Sequence, residues 1–156
     1  MLERYHTLKE NPMRRIWIAL LALLLTGCTS TQVDYSPQDI SEPEAYAVIK
    51  QVVLAQPQTL RPDSVYIDQH YMGFNDPGAA GKPVTADAKD AGKRIYFNSI
   101  DSLHMYKLFG RYTVQLFRAY GQALQGFTMD SRTQAERFID AVQFYRSQAP
   151  ESAGFN

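Results

Sequence analysis

The sequence predicts an α+β domain: an antiparallel meander sheet or partly closed barrel, with an N-terminal helix and a C-terminal amphipathic helix. Three observations predict it. Between residues 94 and 129, runs of aromatic and β-branched residues follow one another with links of only a few residues, which suit antiparallel strands. A helical apolar period precedes these runs at 45–53, and another follows them at 135–145. Strands grouped together, with helices outside the group, give α+β rather than alternating α/β.

A chain of 156 residues is one domain by size, with room for a core. Its composition, 45% hydrophobic and 21% charged, is that of a globular protein. A formal net charge of zero argues against nucleic acid as a partner, since such binders carry a basic excess. Cys28 is the single cysteine, so an intramolecular disulfide and a multi-cysteine zinc site are both excluded.

Cys28 also marks the end of the first element. Met13-Arg14-Arg15 is a positive patch, and Ile16 to Leu25 (IWIALLALLL) is an unbroken apolar run. Ten helical residues cover ~15 Å, about half the hydrocarbon thickness of a bilayer. The pattern is that of a secretory signal peptide, residues 1–27. Its exit, Leu25-Thr26-Gly27-Cys28, resembles the lipobox of bacterial lipoproteins, and the resemblance covers residues 13 to 28. It implies cleavage before Cys28, a diacylglycerol on the Cys28 thiol, and an acyl chain such as palmitate on the new amino group. Two or three chains anchor a protein stably where one holds it marginally. Residues 1–12 place Glu3, Glu10 and Pro12 ahead of the positive patch, so Met13 is the expected start. Thr29 and Ser30, rather than an aspartate, follow the cysteine; the resemblance then implies the outer membrane, with the domain facing the periplasm. The mature chain carries 12 basic and 14 acidic residues and loses Trp17, the only tryptophan.

Residues 28–41 read as a lipidated tether: polar, with one proline and no apolar period. A single domain is expected over 42–149. Its first helix opens at Ser41-Glu42-Pro43-Glu44, a capping-box pattern with proline in the first turn. Ala45, Tyr46, Ile49, Val52 and Val53 share one face, and Pro57 lies past the end. Val65 to Phe74 (VYIDQHYMGF) reads as one strand. Residues 75–93 hold three glycines and two prolines and read as a long surface loop, with room for a short strand near Val84. Arg94–Phe97, Ile100–Leu108, Tyr112–Tyr120 and Ala123–Met129 complete five or six strands. The last helix starts at Ser131, which with Gln134 forms another capping-box pattern. Ala135, Phe138, Ile139, Val142 and Tyr145 form its apolar stripe, with Glu136, Arg137, Asp140 and Arg146 opposite. Residues 150–156 read as a loose tail.

From about 64 to 147 this order of strands and closing helix resembles a pleckstrin-homology-like domain, in which a C-terminal helix plugs a meander barrel. The phosphate-gripping basic cluster of its lipid-binding members is missing: Lys82, Lys89, Lys93 and Arg94 are interspersed with Asp87 and Asp90.

Few residues suggest chemistry. Asp68 and His70 alternate onto one face of the expected strand. Asp101 and His104 lie three apart in another, hence on opposite faces without a bulge. A hydrolase could be assembled from His104, Asp101 and a nearby serine, or a metal site from Asp68 and the histidines, yet no nucleophile elbow or HExxH spacing accompanies them. Tyrosine is the more suggestive type: Tyr66, Tyr71, Tyr96, Tyr106, Tyr112 and Tyr120 sit in or beside strands, and Tyr106 with Tyr112 is a candidate interface pair. The expectation is a lipid-anchored, non-catalytic binding or structural module without a cofactor, partnered by another envelope component. A periplasmic hydrolase or metal-site enzyme at His70/His104 and a carrier of a small apolar ligand are the alternatives.

Overall fold

The computed structural model describes residues 30–57, 61–74 and 93–150. Among these residues seven strands and two α-helices run in the order β1 (Thr31–Val33), α1 (Glu42–Leu54), β2 (Val65–Ile67), β3 (Tyr71–Phe74), β4 (Lys93–Tyr96), β5 (Ser102–Leu108), β6 (Arg111–Arg118), β7 (Gln122–Met129) and α2 (Arg132–Gln148). The fold is α+β. All pairings are antiparallel, in a four-stranded sheet ordered β1-β5-β6-β7 and a three-stranded sheet ordered β2-β3-β4. The sheets stay separate and do not close into a barrel.

Alternation decides which face of the larger sheet is buried. Met105, Val114, Leu116, Phe127 and Met129 point inward and are buried. They meet α2 through Ala135, Phe138, Ile139, Val142 and Tyr145, the stripe read from the sequence. Ala45, Ile49, Val52 and Val53 of α1 close the core beside α2, and Phe74 meets Phe127 edge-on at 6.1 Å. Phe97 stacks on Tyr145 at 4.9 Å. Ion pairing between Glu44 and Arg137 ties the helices together at the surface.

Local signals were met unevenly. Ser131 caps α2, its Oγ accepting the Gln134 N–H at 3.2 Å. Ser41 occupies the corresponding position on α1 without a side-chain cap bond, so that capping box does not form. Tyr46, expected on the apolar face of α1, is exposed with Lys50 over its ring. The C-terminal end of α1 does something else: the Gln56 amide accepts the Thr128 N–H at 3.0 Å and donates to the Thr128 carbonyl at 3.2 Å. This side chain pairs the open edge of β7 as a neighbouring strand would, which protects an edge from further pairing.

Several expectations are corrected. The stretch 65–74 is two strands joined by a turn at Asp68–His70. The Asp68 carboxylate accepts the N–H groups of His70 and Tyr71 at 2.7 and 2.9 Å, an Asx turn that reverses the chain. Phe97 to Ser99 forms a 3₁₀ turn, and β5 begins at Ser102, leaving Asp101 outside it. The expected tether is docked from Thr31 onward: β1 pairs with β5, and Val33, Tyr35 and Ile40 pack on the core. Asp140, expected on the outer face of α2, is buried beneath this segment and is 2% exposed. Lys93, expected in the loop, opens β4. The rest of that loop, 75–92, with the short strand near Val84, the signal peptide with Cys28, and residues 151–156 lie outside the described residues.

Candidate interaction surface

The Asx turn at Asp68 has a consequence for the tyrosines. Tyr66 and Tyr71 are five residues apart and would face opposite ways on one strand. Folding the chain between them brings both to the outer face of the three-stranded sheet. Tyr71 then stands opposite Tyr96 of β4, and Tyr66 opposite Gly73. The rings form a ladder, Tyr66 to Tyr71 at 5.5 Å and Tyr71 to Tyr96 at 5.4 Å. The Arg94 guanidinium lies 5.3 Å from the centre of the Tyr71 ring. Ile67, Met72 and Ile95 occupy the other face and belong to the core. Burial, and the Asp68 carboxylate next to it, raise the Tyr66 phenol above its usual pKa. Tyr96 remains 43% exposed, and Arg94 is exposed beside it.

The larger sheet also has a face that no described element covers. It carries His104, Tyr106, Thr113, Gln115, Phe117 and Thr128, all half-buried among themselves. His104 meets the edge of Phe117 at 5.3 Å and lies 6.4 Å from Tyr106.

These placements separate the residues singled out from the sequence. Asp68 is engaged by its own turn, and His70 projects from it, 62% exposed, with Nδ1 3.8 Å from Asp68 Oδ1. His104 is in the other sheet, against aromatic rings. Asp101 is exposed, and its N–H donates to the Phe117 carbonyl. Among the described residues no ion pair or hydrogen bond joins the His70 pair to the His104 region. Nor do three His, Cys, Asp or Glu side chains gather as a metal-binding group there. Tyr106 and Tyr112 are also parted: Tyr106 is on the bare face, while Tyr112 is on the inward one, packed on the core with Lys107 over its ring. They are not a pair, because residues 106 and 112 fall on opposite pleats of adjoining strands.

Sequence reasoning missed a second polar site. Asp140 Oδ1 accepts the Tyr35 hydroxyl at 2.9 Å and the Gln38 N–H at 2.8 Å, and Arg137 stands 3.7 Å from Oδ2. Burial and the bond to Asp140 push the Tyr35 phenol up to about 12. The available signal was the spacing of Val33, Tyr35 and Ile40, three large apolar bodies within an otherwise polar stretch. Past Val33 the chain leaves the β5 edge. A surface groove of about 310 Å³ opens there, with Tyr35, Asp101, His104, Ile139 and Arg146 among its walls.

Comparison with protein families, curated proteins and solved structures finds no match to this chain.

Proposed function

We propose that this chain is a lipid-anchored envelope protein, most consistent with an outer-membrane location, whose domain binds another envelope protein without catalysis. The observation that carries the binding reading is the Tyr66–Tyr71–Tyr96 ladder with Arg94 across it. Tyrosine and arginine are the residue types enriched in interface cores and hot spots, joining large apolar area to a polar tip. Here they form one strip on the outer face of the three-stranded sheet. The Leu-Thr-Gly-Cys step supports the anchor. Over 64–147 the six strands β2–β7 and the closing helix follow the order of the pleckstrin-homology-like resemblance; the strand number, the helix α1 ahead of them and the open sheets depart from it. Two observations weigh against the alternatives. The two histidines lie on different sheets, and among the described residues no hydrogen bond or ion pair joins Asp101 to His104 although both line one groove, whereas acid–base catalysis needs its groups within hydrogen-bond reach of one substrate. The interior is filled by Phe97, Phe127, Phe138, Met72 and Met105, each fully buried, where a carrier would hold its ligand.

The test is photo-crosslinking in intact cells from position 96, with position 46 on α1 as reference. A discrete product at 96 that disappears with Arg94→Ala, at normal abundance and lipidation, supports the reading. Identical patterns from both positions would sink it. Fatty-acid labelling tests the anchor: Cys28→Ala should abolish it, and equal labelling of variant and wild type refutes the lipoprotein assignment.

A further inference from the structure

Resting on the lipid-anchor reading above, we infer that the turn between β5 and β6 is a second membrane contact, its Phe109 tip entering the headgroup layer of the bilayer that holds Cys28. Phe109 and Gly110 form a two-residue hairpin loop with φ of +49° and +78°. Two positive φ values in such a loop give a type I′ turn, where Asn-Gly is preferred. Phenylalanine is disfavoured there because its Cβ crowds the backbone. It is also 79% exposed, and Leu108 beside it is 38% exposed. Residue 109 thus gives up both easy backbone geometry and burial. Local strain combined with an exposed aromatic ring points to a role outside the domain.

The register of β1 says which outside surface is meant. Thr31 stands opposite Lys107, and the strands are antiparallel, so β1 begins at the β5–β6 turn end of the sheet. Cys28 precedes Thr31 by three residues, which span at most about 11 Å. The acyl chains and the turn therefore belong to the same end of the sheet. Lys107 and Arg111 precede and follow the turn, the Lys107 ammonium lying 5.8 Å from the centre of the Tyr112 ring and Arg111 bonding Asp130 at 2.7 Å. An aromatic residue between long basic side chains suits the membrane interface, where rings sit at headgroup depth and ammonium or guanidinium groups reach water and phosphate.

The molecule contains its own contrast. Tyr120 also has a positive φ, +63°, and is fully exposed in the β6–β7 turn. It sits at the other end of β6, about 24 Å away along the strand. With the anchor and Phe109 both at the bilayer, the strands stand upright on the membrane and Tyr120 projects away from it. This orientation presents both sheet faces sideways.

The test uses the lipidated chain in vesicles of phosphatidylethanolamine and phosphatidylglycerol with brominated acyl chains. Cleaved before Cys28, the chain has no tryptophan of its own. Phe109→Trp and Tyr120→Trp each supply a single fluorophore, and Cys28 acylation is measured on the same samples. F109W emission should shift to the blue and lose most of its intensity to bromine quenching, while Y120W emission stays that of an indole in water. Acylated protein in which F109W is quenched no more than Y120W overturns the insertion and leaves the anchor standing. Protein without acylation at Cys28 overturns the anchor and the insertion with it. Phe109→Asn suits the turn and should raise the melting temperature, yet abolish the slowing of amide exchange at 107–111 that vesicles impose on the wild type. Equal slowing in both proteins also overturns the insertion.

Discussion

Replacing Asp140 by alanine should release the segment that runs from β1 to α1. Two donors from that segment, the Tyr35 hydroxyl and the Gln38 N–H, converge on Asp140 Oδ1 at 2.9 and 2.8 Å. Hydrogen bonds to a charged group contribute ~1.5–3 kcal/mol each, so ~3–6 kcal/mol is the gross loss. Part of it returns. Both donors are only part-buried and regain water, the buried carboxylate no longer resists desolvation, and alanine is the better helix residue by ~0.5 kcal/mol. A net loss of ~2–3 kcal/mol is expected, which for a domain of this size lowers the melting temperature by roughly 8–12 °C. Asp140→Asn keeps the shape and an acceptor oxygen and should lose less. The assay is thermal unfolding of both variants together with amide exchange at Gln38 and across β1. Exchange should accelerate at these sites first, while the β6–β7 ladder stays protected. An Asp140→Ala protein that melts within ~1 °C of wild type, with Gln38 exchange unchanged, would refute the latch.

The same site gives a pH dependence. Tyr35 titrates near 12 in the fold against 10.0 for the free phenol, so above pH 10 the unfolded chain loses its proton first. Its contribution is complete below pH 10 and declines as pH rises toward 12. Burial raises Tyr145 in the same direction, with Glu42 adding to it. An alkaline melting series should show this decline, and Tyr35→Phe should make it shallower; parallel profiles would contradict it. Phe138 and Ile139 are 0% and 5% exposed, so truncating either to alanine should cost ~2–5 kcal/mol in a denaturant titration. Joint replacement of His70 and His104 by glutamine should leave the crosslink from position 96 unchanged. Its loss at normal abundance would point to the enzyme or metal-site alternative.

How far the sequence was legible follows from the range of each interaction. The stripe from Ala135 to Tyr145 and the strands around 102–129 were readable because a helical or pleated period is written in residues close along the chain. The α+β class came with them. The Leu-Thr-Gly-Cys step is likewise local, and it alone gives the reason to expect an anchor. The tyrosine ladder was not legible. Tyr66 and Tyr71 became neighbours through a turn made by one carboxylate accepting two backbone N–H groups, and VYIDQHYMGF read as a single strand hides that reversal. Asp140 looked solvent-facing by helical phase, and only a segment 102 to 105 residues away in sequence covers it. The placement of the Phe109 turn at the end of the sheet where β1 begins depends on Thr31 pairing with Lys107. Sequence by itself determined the local periods, the apolar run that ends at Gly27-Cys28 and the supply of tyrosines. Tertiary structure decided which tyrosines meet, which carboxylate is buried and which turn lies at the end of the sheet where β1 begins. Those outcomes are set by contacts between residues far apart along the chain, and such contacts leave no period in it.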